Sequence, residues 1–196
     1  HSAQDKKLAR GWRNVIAKGR VAIRSSLGFG FTNLMIFEMM FLGAVSTAAA
    51  DTLATEIGLL STSEPRLITA LSQRVQRGVS GGVTILGESA TLLGSVSIAI
   101  VASIIGFSGL PPMQLGVISL ISGFLGSIFD SLIGATLQSR YECIICSEET
   151  ENRIHCNHPT RLKRGYAFID NNLVNLGSTA VGALIAIGLL TLESIR

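Results

Sequence analysis

Four stretches of this chain, Gly28–Ala50, Val83–Phe107, Leu115–Leu137 and Ile169–Leu192, are apolar almost throughout and contain no lysine or arginine. Each has about the 20 residues that an α-helix needs to cross the hydrocarbon core of a bilayer. A backbone in lipid must satisfy its own hydrogen bonds, and for segments of this length the helix does so. The sequence therefore predicts an all-α, polytopic transmembrane helix bundle with at least four spans. It is read as one transmembrane domain over residues 1–196, carrying a small cysteine-containing loop insert at 138–168. Composition agrees: 47% of the residues are hydrophobic and 15% charged, against the roughly 25% charged share of soluble domains. The 21 glycines are scattered through the apolar runs, as close helix packing in lipid requires. Aromatic residues are 6% and no basic stripe runs among them, so no nucleic-acid partner is expected.

Acids stand where lipid would reject them. The first run ends in Ala50-Asp51-Thr52, with Glu56 five positions after the aspartate. Ionisable groups at membrane depth are costly and usually face a cavity, an ion or a partner. Glu38 and Glu88 interrupt the first and second runs, and Asp130 with Ser131 lies near the end of the third, just before Gln138. The fourth opens with Asp170, Asn171 and Asn172, followed one turn on by Asn175. Helix capping explains one of these polar groups, not four within six residues. The polar segment Asp51–Val79 holds Arg66, Thr69 and Arg77 and leads into Ser80-Gly81-Gly82. A Gly-Gly pair opening a helix presents free N–H groups to phosphate; an ordinary turn is the alternative.

Crossings can be counted. Two spans lead from the Asp51–Val79 loop out and back to the Gln138–Tyr166 loop, so these two basic loops share a side, which the positive-inside rule makes cytoplasmic. Asp51, Glu56, Asp130 and Asp170 then lie near one another at the cytoplasmic helix ends. The basic lead-in His1–Arg24, with Trp12, Arg13 and Asn14, falls on the opposite side unless it re-enters as part of the site. It is read as a membrane-surface anchor or, through Arg13 and Asn14, as a substrate contact. It shows no signal-peptide pattern, and the four spans are a minimum.

All three cysteines fall in the polar insert, as Cys143-Ile144-Ile145-Cys146 and then His155-Cys156-Asn157-His158. A C-x2-C pair followed by a His/Cys cluster furnishes a structural zinc site, with Cys143, Cys146, His155 and Cys156 as ligands and His158 as a rival. Neighbouring His155 and Cys156 need a bent backbone to ligate together. Reduced thiols or an adventitious disulfide are the alternatives.

Convergent carboxylates beside guanidinium groups and glycine-rich backbone suit a metal–polyphosphate site, where Mg²⁺ and arginines neutralise a transferring phosphoryl group. Acids that merely pair with arginines to join helices are the structural alternative.

Ala50-Asp51-Thr52-x-Ala54-Thr55-Glu56-Ile57-Gly58, Pro65-Arg66-Leu67-Ile68-Thr69 and Arg77-Gly78-Val79-Ser80-Gly81-Gly82-Val83-Thr84 resemble successive blocks of the integral-membrane family that includes plant phytyl-phosphate kinase of the vitamin E pathway. Phe129-Asp130-Ser131 through Gln138, Asp170-Asn171-Asn172-x-Val174-Asn175 and Gly11-x-Arg13-Asn14 resemble others. That family is distantly similar to CTP-dependent polyprenol kinases and phosphatidate cytidylyltransferases. The resemblance implies an integral-membrane kinase converting a phytyl- or geranylgeranyl-type monophosphate to its diphosphate, with CTP or another nucleoside triphosphate as donor. Asp51, Glu56 and Asp130 would position Mg²⁺, with Asp170 as a further catalytic acid. Arg13, Asn14, Thr52, Arg66, Thr69, Arg77, Ser80, Gly81, Gly82, Ser131, Gln138, Asn171, Asn172 and Asn175 would bind substrates. The alternatives are nucleotidyl transfer giving a CDP-lipid, and transport without an enzyme reaction. The cysteine-bearing loop lies outside the resemblance and is expected to be accessory.

Overall fold

The structure, a computed structural model, describes residues 12–194, the side chains of residues 12, 13, 193 and 194 excepted. Gly11 of the resemblance lies outside the described residues. Five helices dominate: α1 (Trp12–Thr32), α2 (Met35–Gly58), α3 (Ile85–Ile104), α4 (Pro112–Thr136) and α5 (Asn171–Ser194). Four of them, Met35–Gly58, Ile85–Ile104, Pro112–Thr136 and Asn171–Leu192, are long and apolar enough to cross a membrane.

The first apolar stretch is not one helix. Asn33 takes a left-handed backbone, φ 53°, which a short polar side chain tolerates and a β-branched one does not. Residues 28–32 therefore finish α1, and α2 runs on through Asp51 and Glu56 to Gly58. Those two acids belong to a helix, not to the following loop. The α1–α2 hairpin also answers the difficulty posed by the basic lead-in. It folds α1 back along α2, so that Lys18 near its start reaches Asp51 near the end of α2. The described part of the lead-in, residues 12–24, thus lies within α1 and returns to the sheet end of α2.

The remaining helix ends follow local chemistry. Thr84 caps α3, its Oγ1 accepting from the Gly87 N–H at 3.0 Å. The α3–α4 turn uses left-handed Gly106, Ser108 and Gly109, then Pro111, with Pro112 starting α4. Proline at a first helical position gives up an N–H that had no partner there.

The bundle interior reverses the pattern of a soluble protein. Ala44, Ser46, Thr47, Ala50, Thr91, Ser95, Ser119 and Ser122 are buried, while Ile85, Leu93, Ile100 and Ile104 are exposed. Lipid is as apolar as leucine, so helices associate through close backbone approach and hydrogen bonds between small side chains. Ser46 and Ser119 hydroxyls meet at 2.7 Å, and Thr47 Oγ1 donates to Ser122 O at 3.0 Å. Helix α2 is central and packs against all four others.

Glycine sets how near these helices come. A Cβ on Gly182 of α5 would lie 2.9 Å from Gly43 O and still nearer Thr47 Oγ1, and one on Gly126 of α4 would also strike Thr47. Gly182→Val is therefore expected to lower stability by about 1–3 kcal/mol, the usual cost of forcing extra methyl groups into a packed interior. Thermal unfolding in detergent reads this directly; an unchanged midpoint would mean that α5 does not pack here.

Two small antiparallel sheets cover one end of the bundle. β1 (Arg66–Leu67), β2 (Ala70–Arg74) and β3 (Gly82–Val83) form the first, in the order β2-β1-β3. β4 (Arg140–Cys143), β5 (Glu149–Thr150), β6 (Ile154–His155) and β7 (His158–Arg164) form the second, in the order β5-β4-β7-β6. Both expected polar loops are thus folded layers, and they share an end of the bundle, as the crossing count requires.

Candidate functional site

Gly126 of α4 and Gly182 of α5 both lie against Thr47 of α2. Four residues is about one helical turn, and α2 and α4 both end at the sheets while α5 starts there. One turn nearer the sheets than this contact therefore come Asp51, Asp130 and Ser178, in a single layer. Contacts agree: Ser178 Oγ donates to Asp130 Oδ2 at 2.8 Å. Lys18 from α1 closes the layer, its Nζ donating to Asp51 Oδ2 at 2.6 Å and to Thr52 Oγ1 at 2.9 Å. Asp51 and Lys18 are near enough to Asp130 for their charges to act on it. Glu88 of α3 lies within electrostatic reach of Asp51, with Oε2 buried and without a hydrogen-bond partner. Lys18–Asp51 and Ser178–Asp130 each engage Oδ2, leaving Oδ1 of both carboxylates outside those bonds.

Other expected members stand elsewhere. Glu56 is exposed, and a spacing of five turns it about 140° around the helix from Asp51. Of the expected Asp51–Glu56–Asp130 metal triad, the structure brings Asp51 and Asp130 to one layer and sets Glu56 on another face of α2. Among the described residues only a Cys/His set gathers three or more ligand atoms within 4.8 Å. Asp170 caps α5, its Oδ1 accepting from the Leu173 N–H at 2.9 Å and its Oδ2 from Asn172 Nδ2 at 3.2 Å. It lines a separate cleft of about 400 Å³ between α1 and α5, with Ile16, Arg20, Asn172, Leu173 and Leu176. Asn171 opens α5, and Asn175 is buried one turn on, its carbonyl accepting from Ser178 and Thr179. Asn14 is half-buried in the first turn of α1 and Ser131 half-buried in α4. Arg13 lies in α1, and its side chain lies outside the described residues.

The Gly81-Gly82 pair does not open the helix, which starts at Ile85 behind its Thr84 cap. Gly82 N–H donates to Val79 O at 3.0 Å. Gly81, at φ 78°, lies so close to α4 that a Cβ would collide with Ala135. Ser80 Oγ donates to Glu151 Oε1 at 2.7 Å, tying the first sheet to the second. Arg66 Nη1 donates to Leu71 O at 2.7 Å, bracing the β1–β2 turn that holds exposed Thr69. Arg77 Nη2 reaches Thr62 O at 3.3 Å. Gln138 is 2% exposed, with Nε2 buried and unpartnered.

The cysteine insert folds as two turns facing one another. Cys143 ends β4, and the chain doubles back so that Ile145 N–H points at Cys143 Sγ, 3.4 Å away. Opposite, β6 and β7 are joined by the two-residue turn Cys156-Asn157, both at positive φ, 52° and 59°. This left-handed pair supplies the bent backbone that adjacent His155 and Cys156 require. Cys143, Cys146, His155 and Cys156 converge within 4.8 Å, a set able to hold a metal ion. His158 turns away, and its Nδ1 pairs with Cys156 O at 2.9 Å. The Cys143 thiol is held down to about 6, first by the backbone N–H of Cys146 and less by His155. Cys156 is pushed up to about 11, first by the Cys146 thiol.

Lys18, Glu88, Ser178 and Glu151 were not among the site residues read from sequence. Only Glu88 carried a signal, as an acid in an apolar run.

Residues 1–183 match the family model described as Integral membrane protein DUF92. An uncharacterized membrane protein of Methanocaldococcus jannaschii is 27% identical over 183 residues, 92% of this chain and 63% of the relative. Protein PGR of Arabidopsis thaliana is 33% identical over 147 residues, 70% of this chain and 49% of that protein. An uncharacterized membrane protein of Synechocystis is 26% identical over 193 residues, 95% of this chain and 62% of the relative. The chain thus spans about half to two thirds of the length of these curated relatives. No solved structure matches it.

Proposed function

The chain belongs to the DUF92 family of integral membrane proteins, and from that premise we propose that it is a membrane phosphotransferase. It would pass a phosphoryl group from CTP, or another nucleoside triphosphate, to a phytyl- or geranylgeranyl-type monophosphate. The observation that carries this reading is the layer of Asp51, Asp130, Lys18 and Ser178 at the end of four membrane-length helices, directly under the polar sheets. The resemblance of the Asp51, Asp130 and Asp170 blocks to phytyl-phosphate kinase supports the substrate class.

The donor set fits Mg²⁺, which is bound by one or two carboxylates and completes its shell with water and substrate phosphate oxygens. Asp51 and Asp130 would hold it, and the ion would supply charge neutralisation at the phosphoryl group. Lys18 is the cation placed to meet the same group. The cleft between α1 and α5 offers apolar Ile16, Leu173 and Leu176 beside Arg20 and Asp170, which suits an acceptor with a greasy tail and a phosphate head. That acceptor is already anionic near neutral pH, so positioning and charge neutralisation suffice without a strong general base. The site would face the cytoplasm, the side to which the positive-inside rule assigns the two basic sheet segments.

We assign the cysteine cluster to structural zinc. Sulfur–sulfur contact is 3.8 Å for Cys146–Cys156, and His155 Nδ1 lies 3.5 and 3.4 Å from their sulfurs. A tetrahedron with zinc–sulfur bonds of about 2.3 Å and zinc–nitrogen bonds of about 2.0–2.1 Å has edges of about 3.8 and 3.5 Å.

Purified full-length protein incubated with CTP labelled in the γ-phosphate, Mg²⁺ and isoprenyl monophosphates tests the function. Label in an isoprenyl diphosphate is expected. A CDP-lipid identified by mass would replace kinase by nucleotidyl transfer, and no labelled product across Mg²⁺ concentrations and acceptor lengths would remove the reading.

A further inference from the structure

Between the two sheets lies a cleft of about 740 Å³, lined by the bases Arg77, Arg140, Lys163 and Arg164 and by the acids Glu148 and Glu149. Arg140 and Arg164 are directly opposed across the β4–β7 ladder, an arrangement of like charges that destabilises a sheet by itself. Arg140 is 2% exposed, yet Nε, Nη1 and Nη2 all lack a hydrogen-bond partner. Arg164 Nε is likewise buried and unpartnered, and its Nη2 reaches only Gly134 O, at 3.5 Å.

A buried guanidinium without partners is among the costlier groups a protein can retain. Burial presses Arg140 below the ordinary arginine value, and the carboxylates nearest to it do not bond it. Glu142 and Glu149 are both held by Lys163, at 3.1 and 3.0 Å, and Glu151 accepts from Ser80. The cleft therefore keeps two adjacent fork-shaped donors, Arg140 desolvated throughout and Arg164 half-buried, whose positive charge no hydrogen-bonded carboxylate balances.

We propose that Arg140 and Arg164 form an oxyanion site for the polyphosphate of a water-soluble nucleotide. Adjacent guanidinium groups match neighbouring phosphoryl oxygens, which they bind in forks. A lipid phosphate shares that chemistry, but no lining residue belongs to a membrane-length helix, so a tail between the helices is not continuous with the cleft. Arg164 touches Gly134 one turn beyond Asp130, which sets the cleft beside the carboxylate layer. The nucleotide identity rests on the phosphotransferase reading; the anion site rests on the arginines alone.

The test uses full-length protein in detergent, with inorganic tripolyphosphate, CTP and a short prenyl monophosphate as separate probes. Tripolyphosphate at about 100 times its Kd is expected to raise the wild-type unfolding midpoint by roughly 5–10 °C. Arg140→Met and Arg164→Met are each expected to weaken its binding at least about 10-fold by calorimetry. Without anion, Arg140→Met should melt at the wild-type temperature or above it, because an unpartnered charge has gone. A lower midpoint with tripolyphosphate affinity intact would make Arg140 a structural residue and overturn the site. Response to the prenyl monophosphate alone would overturn the nucleotide assignment. Phosphoryl transfer by protein that binds no tripolyphosphate sinks this proposal and spares the kinase reading; binding without transfer does the reverse.

Discussion

Asp130→Asn is expected to cut phosphoryl transfer at least about 10²–10³-fold, the scale on which enzymes lose rate when one preorganised charge-stabilising group is removed. The substitution keeps size and hydrogen bonding, so Ser178 Oγ retains an acceptor where it now bonds Asp130 Oδ2 at 2.8 Å. The formal charge is lost, and with it one of the two carboxylates facing the same layer. Asp51→Asn should fall in the same range and should also release Lys18, now 2.6 Å from Asp51 Oδ2. Glu56→Gln, on the exposed face of α2, should stay within a few fold of wild type. Initial rates against Mg²⁺ concentration, with unfolding midpoints to confirm folding, make the comparison. If Asp130→Asn turned over at the wild-type rate, the carboxylate layer would be a helix-joining device and no more.

Removing the metal should undo the second sheet and leave the bundle. Structural zinc contributes about 10–16 kcal/mol of apparent binding free energy to small domains at neutral pH, far more than four strands of two to seven residues hold through hydrogen bonds and packing. Cys146→Ser, or a strong chelator, is expected to take zinc from about one ion per chain to none. Amides over residues 140–164 should then exchange freely while those of α2 to α5 keep their protection. His158→Ala should leave zinc content unchanged, since that imidazole pairs with Cys156 O instead of facing the cluster. Arg140 and Arg164 stand on β4 and β7, so metal loss should abolish tripolyphosphate binding as well. Retained protection over 140–164 in zinc-free protein would show that the sheet stands without an ion.

Membrane spans were legible because hydropathy is summed over some 20 residues and needs no knowledge of neighbours. Three of the four expected spans lie within a few residues of α3, α4 and α5. The first was misjudged because its break depends on one backbone angle, at Asn33. Strands were not legible: β7 is exposed at most of its positions and shows no alternation. The cysteine and histidine pattern was legible as a ligand set, but the turn that lets His155 and Cys156 act together was not.

Sequence by itself determined the solvent of this protein, the number of apolar helices and the acids that interrupt them, since the cost of charge in lipid belongs to the residue wherever it packs. Only the tertiary structure decided which acids share a layer. Helix rotation and the contacts of Gly43, Gly126 and Gly182 bring Asp51 beside Asp130 and turn Glu56 outward. The same holds for Lys18 and Asp51, 33 residues apart, and for two arginines facing one another across a strand ladder, one of them with no hydrogen-bond partner for its guanidinium. Pairings of that kind follow from how close backbones can approach, a property of the assembled bundle that no single segment carries.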